Sequence, residues 1–322
     1  MKSIFSIANE NEFLEACFKT FNYQYKNNVV YKRYIDLTGR PKHPKTLKDL
    51  TFLPVELFKH EKIISGEFEP EITFTSSSTT GTGVSNHYIK DINTYEKSFR
   101  TAFEKFYGSP EEYLTLALLP SYLERDGSSL IYMANDFISR SKYEQSDFFL
   151  DDFSALKKTL IWAIENNVPT LLLGVTFGLL DFAETHSLPL RNTIVMETGG
   201  MKGRKKEITR EAVHSILKKS FSVDCIHSEY GMTELLSQAY SKGNGLFKCP
   251  EWMRVMIRDT SDPFQIIDTN KTGGINVIDL ANIDSCSFIA TQDLGRLNGK
   301  NEFEVLGRFD NSDVRGCNLL VV

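Results

Sequence analysis

The chain has 322 residues, of which 41% are hydrophobic and 25% are charged, and its formal net charge is −5. These values are typical of a globular protein with one large domain or two ordinary ones. An acidic chain whose longest basic cluster is 202–206 is poorly suited to bind nucleic acid, because phosphate backbones require a positive surface. Its five cysteines are odd in number, widely spaced and without a CxxC pair. This argues against a disulfide framework or a zinc site and favours free thiols in a reducing compartment.

The chain also lacks sequence features of a secreted or membrane-spanning protein. Its N-terminal residues do not form the continuous apolar run of a signal peptide. The longest apolar stretch, Leu171–Leu180, is about half as long as a membrane span. We therefore expect a cytoplasmic protein without a membrane span. The same stretch fits two interpretations equally, an acyl channel in which Gly178 leaves room for an alkyl chain, and plain core.

Hydrophobic periodicity predicts helices and strands that alternate, followed by a strand-rich region. The helical pattern covers most of 10–60 and the segments 88–107, 153–166 and 207–219. Strand patterns cover 114–119, 193–196, 223–226, 254–258, 264–267, 275–280, 287–291 and 302–306. The order predicts a large α/β domain of mixed sheets flanked by helices, with a β-rich region appended at its C-terminal end.

A run rich in hydroxyl groups follows Ile72–Phe74, a short apolar/polar alternation that predicts the end of a strand. In Thr75–Ser85, eight of eleven residues carry a hydroxyl, and Gly81 and Gly83 remove side chains that would block close backbone approach. Such a loop can direct many hydroxyl and N–H groups toward one polyphosphate. It lacks the Gly-Lys-Ser/Thr ending of a P-loop. A flexible polar linker has the same composition, so the loop alone leaves both interpretations open.

Four ordered motifs become informative together. They are Thr75–Ser85, Met196–Gly203, Ser228–Glu234, and Thr291–Arg296 with the trailing Gly307–Asp310. Their order and spacing resemble the adenylate-forming superfamily, whose TSGTTG loop, YGxTE core, TGDLG and GRxD motifs recur here. The resemblance covers the chain from about residue 70 to its end. It departs from the family pattern at Ser78 and Gln292, each of which replaces a glycine.

This resemblance implies roles for individual residues. Ser77, Thr79, Thr80 and Gly81 would cradle the β- and γ-phosphates of ATP. Thr233 would contact the α-phosphate, and Glu234 would bind Mg²⁺ as a hard oxygen ligand. Tyr230 would stack on adenine, the Gly199–Gly200 backbone would lie along the edge of the base, Asp293 would accept both ribose hydroxyls, and Arg308 would belong to the hinge. Taken singly, each residue has an ordinary alternative: Glu234 as a helix-start carboxylate, Asp293 as a turn residue and Tyr230 as core.

A second resemblance concerns the C-terminal end. Members of the superfamily continue into a small domain with a late lysine, and we expect this chain to lack that domain. We expect a large domain at 1–306, with a helical N-terminal segment 1–70, and a hinge with a shortened tail at 307–322. Such a chain resembles the acyl-protein synthetases of bacterial luminescence, in which a cysteine near the C-terminus accepts the acyl group. Cys317 is the matching position, and the adjacent Arg315 would favour its thiolate. The alternative is a small, inert residue in a last strand.

The resemblance implies an enzyme that uses ATP and Mg²⁺ to activate a carboxylic acid, with a fatty acid as the expected substrate. The acyl group would pass to Cys317 and then to a partner, such as a reductase or carrier protein. Two alternatives stay open. One is an acid–coenzyme A ligase of the phenylacetate type, and the other is a non-catalytic protein that binds a nucleotide or an acyl group.

Overall fold

The computed structural model describes residues 3–76, 83–119, 127–199, 208–267, 269–299 and 302–309. Within these ranges the α-helices are Glu10–Asn27 (α1), Val29–Leu37 (α2), Ile92–Tyr107 (α3), Ser129–Arg140 (α4), Phe153–Glu165 (α5), Thr176–Thr185 (α6) and Arg210–Phe221 (α7). The strands are Leu53–Pro54 (β1), Ile72–Thr75 (β2), Asn86–Ile89 (β3), Leu114–Leu118 (β4), Asp147–Phe148 (β5), Thr170–Val175 (β6), Thr193–Thr198 (β7), His227–Tyr230 (β8), Ala239–Ser241 (β9), Phe247–Lys248 (β10), Met253–Arg258 (β11), Thr272–Asp279 (β12), Phe288–Asn298 (β13) and Glu302–Arg308 (β14).

Polar residues begin most of these helices, as capping rules require. The side chains of Asn9, Asp91, Asp152 and Thr209 accept a hydrogen bond from a backbone N–H in the first turn of α1, α3, α5 and α7, respectively. Each cap satisfies a donor that the helix itself leaves without a partner. Local sequence therefore sets where these helices begin.

Twelve strands form one mixed sheet in the order β11-β12-β13-β14-β10-β9-β8-β7-β6-β4-β5, with β1 parallel to β13 at the side. Strands β5, β4, β6, β7 and β8 are parallel, and the rest of the main path is antiparallel from β9 onward. The antiparallel strands continue the parallel part through the pairing of β10 with β14. The predicted β-rich region is thus continuous with the central sheet.

Two apolar clusters cover the two faces of the parallel part. On one face, α5, α6 and α7 pack through buried side chains such as Leu160, Phe182 and Leu217. On the other, α3 and α4 pack through Phe99, Phe103 and Phe137, whose cluster extends to the N-terminal helices and the antiparallel strands. Parallel strands covered on both faces are expected to read as nearly continuous apolar runs. Strands β4 and β6, which are buried along their whole length, fit that rule.

The structure corrects several predictions of elements. In 10–60, the α-helices α1 and α2 end at Leu37, and the remainder holds short 3-10 turns and β1. The strand predicted at 223–226 begins only at His227, and 264–267 contributes a single bridge between Ile266 and Arg258. Segment 171–180 is divided between β6 and α6 and is buried throughout, so it belongs to the core. Among the described residues, no helix combines the length and the apolar character that crossing a membrane requires.

The common direction of the parallel strands indicates where the candidate site lies. The parallel strands β6, β7 and β8 run in the same direction, so the residues after Val175, Thr198 and Tyr230 lie along one edge of the sheet. In α/β sheets, ligands bind outside the carboxyl ends of the strands. The described part of the first predicted motif, 196–199, and the motif 228–234 lie at the ends of β7 and β8 along this edge.

Candidate functional site

The hydroxyl-rich run connects the two strands of a hairpin. Strand β2 pairs with β3, and the ends of the connection are tied because the Ser85 N–H donates to Ser76 Oγ at 2.9 Å. The Thr75 N–H donates to the carbonyl oxygen of Gly127 at 2.8 Å, which joins the hairpin to the segment before α4. These contacts fix the base of the loop. The predicted phosphate ligands Ser77, Thr79, Thr80 and Gly81 lie outside the described residues.

The residues that follow β8 in the Ser228–Glu234 motif have an irregular backbone. Side chains from distant parts of the sequence hold this backbone in place. The carbonyl oxygen of Thr233 lies 2.8 Å from Nδ1 of His87, and the carbonyl oxygen of Glu234 accepts from Nδ2 of Asn282 at 2.8 Å. Nε2 of His87 lies 2.9 Å from Oδ1 of Asn282, so the two side chains also contact each other. Burial lowers the pKa of His87 to about 4. His87 and Asn282 therefore fix the two residues that the motif assigns to phosphate and metal.

A buried carboxylate anchors the next part of the same segment. Asp279 accepts hydrogen bonds from the N–H groups of Leu236 and Ser237 at 2.8 and 3.0 Å, and from Oγ of Ser237 at 2.6 Å. Trp252 Nε1 donates to Ser237 Oγ at 2.9 Å. Since buried backbone groups need partners, these bonds substitute for the ladder that a strand would provide. The segment 231–238 is thereby fixed without being a helix or a strand.

Glu234 is a buried carboxylate at the base of the hydroxyl-rich loop. Its side chain is hydrogen-bonded to that of Ser85, and burial raises its pKa above the ordinary value. The charge of Arg308 lowers the pKa of Glu234, and the charge of Asp293 raises it. Both residues therefore lie within electrostatic range of Glu234. No α-helix begins here, and the helix-start interpretation of Glu234 is wrong. Three motifs that are far apart in the sequence converge at this carboxylate.

Asp293 lies on strand β13 and contacts Tyr230 of the Ser228–Glu234 motif. Its Oδ2 accepts from the Tyr230 hydroxyl at 2.8 Å, and its Oδ1 lies 3.5 Å from Nε of Arg308 on the paired strand β14. Burial raises the pKa of Asp293, while the Tyr230 hydrogen bond and the charges of Arg308, Arg258 and Arg210 lower it. Asp293 is thus a buried carboxylate surrounded by donors and positive charge.

Arg258 is a buried cation whose charge lowers the pKa of Asp293. Its Nη1 donates to the carbonyl oxygen of Ile275 at 2.7 Å and to Oδ1 of Asn276 at 2.8 Å. Gly274 makes room for it, because a Cβ there would lie 2.4 Å from Cζ of Arg258. The guanidinium lies 5.4 Å from the ring centroid of Phe309, which follows the predicted hinge residue Arg308.

The ring of Tyr230 is less open than adenine stacking requires. It is 8% exposed and makes T-shaped contacts with Phe247 and Phe303, at centroid distances of 6.0 and 5.5 Å. Stacking on a base would need the ring or these neighbours to shift. Gly199, by contrast, is exposed at the end of β7 with a φ of +70°, a conformation that favours glycine.

The structure brings together the described part of the predicted set, namely Tyr230, Thr233, Glu234, Asp293 and Arg308. Gly199 ends the neighbouring strand, whereas Gly200, Cys317 and Asp310 lie outside the described residues. The sequence analysis did not identify the supporting residues His87, Asn282, Asp279, Thr176, Glu197 and Arg210. Of these, Glu197 lies within the motif Met196–Gly203, which was the available signal for it.

Comparison with known proteins establishes the fold. No protein-family profile matches the chain, and no curated protein matches it. Among solved structures, ATP-bound MatB from Rhodopseudomonas palustris has a TM-score of 0.56 and 14% identity over 75% of this chain and 49% of MatB. An open conformation of 2-hydroxyisobutyryl-CoA ligase, in complex with 2-HIB-AMP and CoA, has a TM-score of 0.67 and 10% identity over 94% of this chain and 70% of the ligase.

The chain therefore spans about half the length of the MatB structure and most of the length of the hydroxyisobutyryl-CoA ligase. At these identities, the similarity concerns the fold alone. The predicted fold class is confirmed: the chain has a mixed α/β fold with a large mixed sheet flanked by helices, similar to the fold of these two solved structures.

The site also contains a titratable group that affects stability. Glu229 on β8 is buried and accepts a hydrogen bond from Thr198, and burial raises its pKa to about 7. In the unfolded chain its pKa would be near that of an ordinary glutamate. Between these two values the folded protein binds more protons than the unfolded chain, so stability falls as the pH rises toward 7.

We predict that Glu229→Gln removes this part of the pH dependence. At pH 8 the variant should be more stable than the parent by up to about 3 kcal/mol, the free energy that corresponds to this pKa difference. Urea unfolding of both proteins between pH 5 and pH 8 measures the difference. Equal pH dependence in parent and variant would contradict the assignment.

Proposed function

We propose that the protein activates a carboxylic acid with ATP, forming an acyl-adenylate and pyrophosphate. The observation that supports this most directly is the convergence of Ser85, Glu234, Asp293 and Arg308 at the carboxyl edge of the parallel strands. Such a site offers a carboxylate for a metal ion, a second carboxylate for hydroxyl groups and a guanidinium for phosphate. The likeness to ATP-bound MatB and to a ligase that holds an acyl-AMP is consistent with this reaction.

The nucleotide would lie across the ends of β7 and β8. Asp293 would accept the ribose hydroxyls, and the Gly199–Gly200 backbone would follow the edge of adenine, with Tyr230 against the base. Thr233 would donate to the α-phosphate, and the hydroxyl-rich loop, through Ser77, Thr79, Thr80 and Gly81, would hold the β- and γ-phosphates. Arg308 would neutralise phosphate charge next to the hinge.

Glu234 is suited to hold a magnesium ion together with the substrate. The described residues include no group of three His, Cys, Asp or Glu side chains that could enclose a metal. Mg²⁺ does not need one, because it commonly binds one or two carboxylates, several waters and the phosphates of a nucleotide. A single buried carboxylate beside the phosphate loop fits that pattern. The ion would neutralise charge on the phosphate oxygens during transfer.

In the proposed reaction, an oxygen of the acid attacks the α-phosphorus and the bond to the β-phosphate oxygen breaks, releasing pyrophosphate. The contribution of the chain is to position the reactants and stabilise charge. Thr233 would orient the α-phosphate, because His87 fixes its carbonyl and hence its backbone. Arg308 lies within electrostatic range of both carboxylates and would help to neutralise the negative charge of the bound nucleotide.

We further propose that the acyl group passes to Cys317 and from there to a reductase or carrier protein, with a fatty acid as substrate. Most of the other cysteines are poorly suited to act as the nucleophile. Burial raises the pKa of Cys17, Cys249 and Cys286 to about 12, so their thiolates are scarce at neutral pH. Cys225, 3.5 Å from His227, is the remaining thiol among the described residues. We propose a cytoplasmic location for this reaction.

Coenzyme A as the acceptor is the second candidate. It is favoured by the likeness to 2-hydroxyisobutyryl-CoA ligase, whose structure contains CoA. In that case the thioester would leave with a small molecule and no acyl group would remain on the protein. A non-catalytic protein that only binds the nucleotide is the third outcome, and it would show no pyrophosphate exchange.

We predict that Glu234→Gln abolishes adenylation without destabilising the fold. The amide keeps the shape of the side chain but cannot ligate Mg²⁺ as an anion, and a rate loss of about a hundredfold or more is expected for a lost electrostatic contact. Because burial raises the pKa of Glu234, the neutral amide should leave thermal stability equal or higher. ATP–pyrophosphate exchange and thermal unfolding measure the two effects. Unchanged exchange in the folded variant would remove Glu234 from the site.

We predict that Asp293→Asn selectively removes recognition of the ribose hydroxyls. The parent should bind ATP more tightly than 2′-deoxy-ATP, by the roughly 1.5–3 kcal/mol of a charged hydrogen bond. In the variant this difference should shrink, while the affinity for deoxy-ATP changes less. Calorimetric titration of both nucleotides into both proteins completes the cycle. An unchanged difference would contradict the ribose assignment.

We predict that Cys317→Ser forms acyl-adenylate but accumulates no acyl-enzyme, because a hydroxyl without a general base is a much weaker nucleophile than a thiolate. The assay uses labelled fatty acid with ATP and Mg²⁺, followed by denaturing gel autoradiography and treatment with neutral hydroxylamine. Cys225→Ser is the matched control and should label as the parent does. Equal labelling of the Cys317 variant would identify another acceptor, and label that appears only on coenzyme A would favour the ligase alternative.

A further inference from the structure

A buried threonine supports the backbone at the end of β7. Thr176 Oγ1 lies 3.0 Å from the carbonyl oxygen of Gly199 and 2.9 Å from Oε2 of Glu197. Thr176 begins α6 directly after β6, and it is 5% exposed. One hydroxyl hydrogen is therefore shared between the Gly199 carbonyl and the Glu197 carboxylate behind it.

Glu197 is in turn fixed by two basic side chains of α7. Its Oε1 accepts from Nε of Arg210 at 3.1 Å and lies 3.6 Å from Nε2 of His214. Glu197 is 3% exposed, and although burial acts to raise its pKa, His214 and Arg210 hold the pKa below the ordinary value. Nη1 of Arg210 also donates to the carbonyl oxygen of Val305 on β14, at 2.8 Å. A buried charge with these partners has little freedom to move.

Gly199 is exposed, and among the described residues an added Cβ would meet no atom within 4 Å. A carbonyl oxygen has two lone pairs, and Thr176 occupies one of them. The second lone pair can accept a hydrogen bond from a ligand, and under the proposed function the purine of the nucleotide would lie at this edge.

We propose that Thr176 and Glu197 are positioning residues that set the base selectivity of the site by fixing the Gly199 carbonyl. This inference rests on the proposed function. Adenine carries an amino group that can donate to this carbonyl, whereas guanine and hypoxanthine carry an oxygen at the same position. Two acceptors facing each other are rejected because each loses its hydrogen bond to water without replacement.

The hydroxyl of Thr176 gives a direct test. We compare the affinities for ATP and inosine triphosphate, which share the ribose and the triphosphate, in the parent and in Thr176→Val. The parent should prefer ATP by about tenfold or more, and the variant should lose most of this preference, since the carbonyl is no longer oriented. Thr176→Ser, which keeps the hydroxyl, should retain the preference.

The chain provides a matched control in Thr115→Val. Thr115 is also a buried threonine, on β4, but its Oγ1 has no hydrogen-bond partner in the described part of the chain, so its loss should leave both affinities unchanged. Thermal unfolding verifies that each variant is folded, and Thr176→Ala replaces the valine variant if valine is not accommodated.

The outcomes separate the two proposals. If the parent binds neither nucleotide, the proposed function fails and the inference fails with it. If the parent binds ATP but does not discriminate, or if Thr176→Val discriminates as the parent does, the inference alone is overturned. Loss of selectivity in the valine variant, with selectivity kept by serine and by the Thr115 control, supports it.

Discussion

The candidate site depends on side chains that replace secondary structure in the segment 231–238. This segment has no strand or helix of its own, so its buried backbone groups must find other partners. Asp279 accepts two of its N–H groups, while Asn282 and His87 bond the carbonyls of Glu234 and Thr233. All three come from outside the segment. An irregular backbone held in this way can direct polar side chains toward one point, which a regular strand, with its alternating faces, cannot do.

Charge compensation is the second requirement of this site. Two buried carboxylates, Glu234 and Asp293, lie close to each other: burial raises the pKa of both, and the charge of Asp293 raises the pKa of Glu234 further. Arg308, on the strand paired with β13, counters both. A divalent cation at Glu234 would stabilise its ionised form, so metal binding and proton release are linked here. The pairing of β13 with β14 therefore builds the sheet and also brings a positive charge close to the two carboxylates.

Sequence patterns were most informative where the signal is local. The motif order singled out Tyr230, Glu234 and Asp293, which the fold brings together, and the apolar run at 114–119 predicted the strand β4. The patterns failed where long-range pairing decides. Segment 264–267 is apolar enough for a strand but has a single bridge partner, and β8 begins at polar His227 because it pairs with β7 there. Asp279 and Asn282 carried no signal, since their partners are more than forty residues away.

The Tyr230–Asp293 hydrogen bond has a consequence for nucleotide affinity. In this structure, the hydroxyl of Tyr230 occupies an oxygen of Asp293 that the ribose would use under the proposed function. Ribose binding would then exchange one hydrogen bond for another, and the net gain would be smaller than the strength of the new bond. Displacement of the hydroxyl would also remove one of the contacts that hold the Tyr230 ring, which packs against Phe247 and Phe303 as well. Freeing Asp293 for ribose would thus make the ring easier to shift for adenine, and under the proposed function the base and the sugar would be recognised cooperatively.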